Sequence, residues 1–168
     1  QEECDWCIVI EENTADDFDP IQHEGYSIKT DGSKIRIAAE GYLGTMWGIY
    51  TFCETVLGVD PCYIFNDLEI AKREALETES LTIVDKPTGF GFRGVFINDE
   101  DLLTGFKDGG GIRYLDFPFY GVTVEKGVME KVVETVLRLK LNLVIPASFL
   151  DLDNPPEKCL ADCVAERG

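Results

Sequence analysis

Basic side chains are scarce in this sequence. Its 168 residues hold 15 Lys and Arg against 32 Asp and Glu, a net charge of −17. Phosphate backbones are gripped by clustered Lys and Arg, so this balance excludes nucleic acid as a partner. It argues equally against an anionic membrane surface. Histidine occurs once, at His23 beside Glu24 in a turn-rich stretch, where it reads as an exposed polar residue and not as a catalytic one. No run approaches the ~20 apolar residues of a membrane-spanning helix. The first residues, QEECDWC, lack the basic-then-apolar pattern of a signal peptide, as a cleaved secreted protein would too.

Metal-ligand spacing is also missing. Cys4 and Cys7 form a C-x-x-C, but no second pair follows at zinc-ribbon spacing and no His is near. Cys159 and Cys163 are four apart and fall on one face of an expected helix. With Cys53 and Cys62 the count is six, which permits disulfides without requiring them in a chain this long. Buried free thiols, with no metal site, are the expectation.

What is present is an apolar fraction of 45%, enough for one ordinary domain or a small one plus part of another. Cys7 to Ile10 reads as a strand, and the acidic EENTADDFDP that follows as a solvated loop. Residues 26–29 and 34–37 alternate polar and apolar around Asp31-Gly32-Ser33, which predicts a hairpin. A glycine-bracketed loop, 40–44, then leads to a helix expected from Thr45, with Trp47, Ile49, Tyr50, Phe52, Cys53, Val56 and Leu57 at helical spacing and Gly58 closing it. This aromatic stripe reads as core. Gly44 and Gly48 would let the helix backbone approach the sheet. Residues 60–65 look extended, 81–84 read as a strand and 85–89 as a linker, so a first domain spans residues 1–86.

The stretch that organises the rest is Phe90 to Asp101, FGFRGVFINDED. A short apolar run suits a strand buried on both faces. The polar burst Asn98, Asp99, Glu100 and Asp101 falls at its carboxyl end, where α/β folds bind ligands. Two readings stand: contact with sugar hydroxyls, or a turn in which an Asp caps local amides. Arg93, at the strand's other end, reads as a structural ion-pair partner. A loop of about 25 residues follows, 102–127. Its three glycines, 109–111, lack the Lys-Ser/Thr of a phosphate cradle. Its aromatics Tyr114, Phe117, Phe119 and Tyr120 suit stacking on sugar rings or packing on a further domain equally. Val128 to Leu139 is an amphipathic helix, Leu141 to Ile145 a second buried strand, and Pro155-Pro156 opens a last helix, 157–166. Strand, helix, strand, helix begins a parallel α/β unit that two strands do not finish. Residues 87–168 therefore read as the start of something longer, with unpartnered apolar strand faces that favour self-association.

Three of these stretches resemble the α-glucuronidases of glycoside hydrolase family 115, which remove glucuronic acid side groups from xylan. They are IRIAAEGYLGTMWGIYTFCE, FRGVFINDED, and RLKLNLVIPASF with LADCVAERG. Other glycosidase families share the first. The third departs at Ile145, Ser148 and Phe149, where members carry tryptophan and methionine. The resemblance covers most of residues 25–168 and the opening part of a member. It implies an α/β fold: a small amino-terminal α/β domain, with a mixed or antiparallel sheet and packed helix, then the first two β/α units of an incomplete (β/α)₈ barrel. It implies inverting hydrolysis without metal or organic cofactor, two carboxyls about 6.5–9.5 Å apart around a water. The main catalytic acids would lie on later strands, so the chain by itself is expected to be inactive. Asn98, Asp99, Glu100 and Asp101 would contact a glucuronoxylan-type carbohydrate, and the longer protein would be secreted or periplasmic. A different reading of the same residues is a non-catalytic carbohydrate-binding or scaffolding module.

Overall fold

The computed structural model describes residues 7–13, 24–66, 68–74, 76, 78–86, 89–97, 103, 112–113, 122–148, 150–153 and 155–167. The chain divides into two compact units, Gln1–Gly91 and Phe92–Gly168.

The first unit is a four-stranded mixed sheet under one helix. Strand β1 (Cys7–Asn13) runs parallel to β3 (Lys34–Glu40), while β2 (Tyr26–Asp31) pairs antiparallel with β3 and with β4 (Thr82–Asp85), giving the order β1-β3-β2-β4. The hairpin forms where alternation and Gly32 predict it, with Gly32 at φ 58° in the turn. Alternation puts Tyr26 and Ile28 on the same face as Ile35, Ile37 and Ala39. These residues meet Leu43, Trp47 and Phe52 of helix α1 (Gly41–Thr55), and Val56 just past its end, in one core. Ile28 and Ile37 are 0% and 1% exposed. Each contributes about 1.5–3 kcal/mol by leaving water.

Three expectations for this unit are corrected. Glu11, Glu12 and Asn13 extend β1 and do not begin a loop, because the parallel ladder to Ala38, Ala39 and Glu40 pairs their backbone. Helix α1 starts at Gly41, without the expected 40–44 loop. Gly41 makes the bend at φ 77°, and Glu40 N donates to Gly25 O at 2.9 Å as the strand ends. Residues 60–65, expected to be extended, instead turn, with Tyr63 N on Asp60 O and Phe65 N on Cys62 O, and Asp60 Oδ1 accepting from Cys62 N at 2.7 Å. The two helical glycines do what close packing needs. A Cβ on Gly44 would lie 2.6 Å from Gly25 O, and one on Gly48 2.7 Å from Ile37 Cγ2. Gly58, at φ 72°, lets Val59 N return to Cys53 O and close the helix as expected.

In the second unit, β5 (Gly94–Phe96) pairs parallel with β8 (Leu143–Ile145), and α2 (Lys126–Arg138) lies between them in sequence: a βαβ connection. Within the expected 102–127 loop lies a short antiparallel ladder, β6 (Ile112–Arg113) with β7 (Val122–Thr123). Helix α2 buries Val128, Met129, Val132, Val133, Val136 and Leu137 and packs on α3 (Pro155–Ala165), which contributes Leu160 and Cys163. Leu139, expected on that face, is exposed beyond the helix end. The ending uses Lys140 at φ 59°, with Leu141 N on Val136 O and Lys140 N on Leu137 O, a Schellman closure with lysine where glycine is usual.

The strands of this unit are not buried on both faces. Register puts Phe96, Leu143 and Ile145 on one face, and they are 53%, 41% and 46% exposed. Thiol burial is also narrower than expected. Cys163 is buried, Cys7 is exposed, and Cys53, Cys62 and Cys159 are half-buried, all as free thiols.

Candidate functional site

The parallel register fixes one edge of the sheet. Gly94, Val95 and Phe96 lie opposite Leu143, Val144 and Ile145, and Ile97 N donates to Ile145 O at 3.0 Å. Strands β5 and β8 thus have their carboxyl ends on the same side, where α/β folds place ligands. The pairing depends on Gly94: a Cβ there would fall on the carbonyl and side chain of Leu143.

Asn98, Asp99, Glu100 and Asp101 follow Ile97 directly in sequence and lie outside the described residues. So do Cys4, His23, the three glycines 109–111, and Tyr114, Phe117, Phe119 and Tyr120. Arg93 sits at the opposite, amino end and has a structural part there. Its N–H donates to Asn142 Oδ1 at 2.8 Å, Asn142 N donates back to Arg93 O at 2.8 Å, and Arg93 Nε reaches Lys140 O at 3.3 Å. The arginine clasps the turn that feeds β8.

On the β8 side the edge is built from Ala147, which is buried, and a loop ending at α3. Glu157, in the first turn of α3, is 5% exposed, and its Oε2 accepts the Asp151 N–H at 2.7 Å. Asp151 Oδ1 in turn accepts Asp153 N–H at 2.9 Å. Sequence reasoning missed Glu157. Its signal was a glutamate at the third position of a helix opened by prolines, where an acid reaches back to free amides.

Elsewhere the described residues offer little chemistry. Two clefts in the first unit, about 400 and 320 Å³, are lined by Leu57, Ile70 and Leu76 in one and by Ser27, Ala38 and Val84 in the other. Beside the second cleft, Tyr26 OH donates to Asp85 Oδ2 at 2.8 Å and takes a bond from Thr51 Oγ1 at 2.7 Å, tying β2, β4 and α1 together. Lys126, held above its ordinary pKa chiefly by Glu166 at 3.5 Å, and Arg167, 3.4 Å from Glu130, join α2 to the end of α3. Burial pushes the Cys163 thiol up, against the pull of Arg167. Among the described residues no three His, Cys, Asp or Glu side chains gather as metal ligands, and no helix is long and apolar enough to cross a membrane.

Comparison with known proteins bears on this same edge. Residues 85–165, which hold β5, α2, β8 and α3, match the model of glycosyl hydrolase family 115. Over these residues the chain is similar to the family 115 glycosyl hydrolases. No curated protein matches it. Among solved structures it is similar to a family 115 4-O-methyl-α-glucuronidase with specificity for decorated arabinogalactans, at 21% identity and a TM-score of 0.68. The likeness covers 95% of this chain and 22% of that one. The α/β class read from the sequence holds: a mixed sheet with a packed helix, then a parallel strand–helix unit.

Proposed function

We propose that this chain forms the amino-terminal α/β domain and first two β/α units of a glycoside hydrolase that removes glucuronic acid, or its 4-O-methyl form, from plant polysaccharide. The observation that carries it is the family match across 85–165, centred on the parallel β5–β8 pair whose carboxyl ends share one edge. On this reading residues 1–86 are the first domain and 87–168 the start of a (β/α)₈ barrel. Asn98, Asp99, Glu100 and Asp101 stand at the carboxyl end of its first strand and contact the substrate. The acid and base of an inverting reaction come from later strands, since two strands cannot hold two carboxyls about 6.5–9.5 Å apart across a sugar. The polymer lies outside cells, which agrees with a secreted or periplasmic protein.

The exposed face of Phe96, Leu143 and Ile145 belongs to the same proposal. Further strand–helix units cover it in the longer protein, and a second copy covers it when this chain is prepared by itself.

The test is an assay of the longest native protein containing this chain on glucuronoxylan and arabinogalactan oligosaccharides. Release of glucuronic acid, with kcat/KM lowered at least about tenfold by Asp99→Ala or Glu100→Ala, is the expected result. A protein that neither cleaves nor binds either polymer would overturn it in favour of a scaffold of shared ancestry.

A further inference from the structure

Glutamate in the first turn of a helix is ordinary, and an acid there normally reaches the nearest free amides while remaining hydrated. Glu157 departs from that pattern in two ways. It is 5% exposed, and its carboxylate accepts the N–H of Asp151, four residues before the helix begins at Pro155. A buried carboxylate is costly unless hydrogen-bonded, so its retention ties loop and helix together. The bond is the first of a series. Asp151, fixed through its N–H, uses Oδ1 to hold the N–H of Asp153 at 2.9 Å. At the other end the loop leaves β8 through Ala147, which is buried. The β8–α3 loop is therefore tied to α3 at its far end, and it leaves the sheet on the side where Ile97 pairs with Ile145.

We propose that Glu157 is a positioning residue: through the Asp151 N–H it holds the β8–α3 loop in the shape that the sugar-binding edge requires. This rests on the glycoside hydrolase reading above. The loop forms one wall for the carbohydrate, and Glu157 acts from behind it without touching substrate. Loosening the loop then weakens ground-state and transition-state binding together, which raises KM and leaves kcat nearly unchanged.

Glu157→Ala and Glu157→Gln are to be made in the longest native protein containing this chain and assayed on the oligosaccharide that the wild type cleaves. Glu157→Gln keeps an oxygen able to accept the Asp151 N–H. The expected result is a KM raised about tenfold by Glu157→Ala with kcat within about twofold, and a KM restored to within about threefold by Glu157→Gln. Hydrogen exchange of the Asp151 amide should quicken in the first variant and not in the second. A merely structural role would lower the fraction of active enzyme, hence apparent kcat, at unchanged KM, and that outcome overturns the proposal. So does an unchanged KM in both variants. A wild type that cleaves neither polymer removes the hydrolase reading itself, and with it this one, so the two failures are told apart by the wild-type measurement.

Discussion

In the first unit a helix of 15 residues lies over a four-stranded sheet, and the face beneath it is sealed at Ile28 and Ile37. In the second, two strands of three residues carry Phe96, Leu143 and Ile145 on one face, each about half exposed. Both units use the same building rule, alternation of side chains along a strand, yet only the first has brought its apolar face against another layer. The difference lies in what lies opposite. A sheet needs a second layer to bury its apolar face, and an antiparallel hairpin with an adjacent helix supplies that layer from neighbouring sequence. A parallel pair depends on elements brought from farther along a chain.

The comparison can be pushed hardest through paired truncations. Ile37→Ala should cost about 3–4 kcal/mol in denaturant unfolding, because it removes a sealed side chain and leaves a cavity. Phe96→Ala should cost less than about 1 kcal/mol, since its ring is already half in water, and should reduce self-association in sedimentation. Equal losses would mean that self-association seals the Phe96 ring as completely as helix α1 seals Ile37.

Gly94→Ala comes next in size. Its Cβ would land on the backbone of Leu143, which cannot swing away as a side-chain tip can. A loss of about 3 kcal/mol is expected in the second unit, read by hydrogen exchange at Ile97 and Asn142. Protection at Ile28 and Ile37 should stay as it was. A cooperative loss in both units would show that they unfold as one.

The smallest effect has the opposite sign. Lys140 stands at φ 59°, a conformation that L side chains adopt at a cost and glycine without one. Lys140→Gly should raise the stability of the second unit by about 0.5–1 kcal/mol, provided that the carbonyl of residue 140 still receives Arg93 Nε. A decrease would place the stabilising role in the lysine side chain.

Much of this was legible in the residues. Alternation around Gly32 gave the hairpin, the 3.6-residue spacing within Val128 to Leu139 gave α2 though not its last residue, and Gly44 and Gly48 announced a helix pressed onto a sheet. These features are local, set by neighbours within a few positions. What escaped was set at a distance. Glu11 to Asn13 look like loop until β3 supplies a ladder for them, and the helix start at Gly41 follows from the end of β3 at Glu40, whose N–H donates to Gly25 O. Glu157 looks like any first-turn acid until Asp151 is folded back onto it.

The residue order by itself determined the α/β class, the Gly32 turn, the Gly58 helix closure and the run of acids after Ile97, because each depends on side-chain period, φ preference or charge. Only the tertiary structure decided which strand faces are sealed, that Gly94 must carry no side chain, and that a glutamate on α3 holds a loop beyond β8. Those depend on which distant surfaces meet, and burial and close approach exist only once they do.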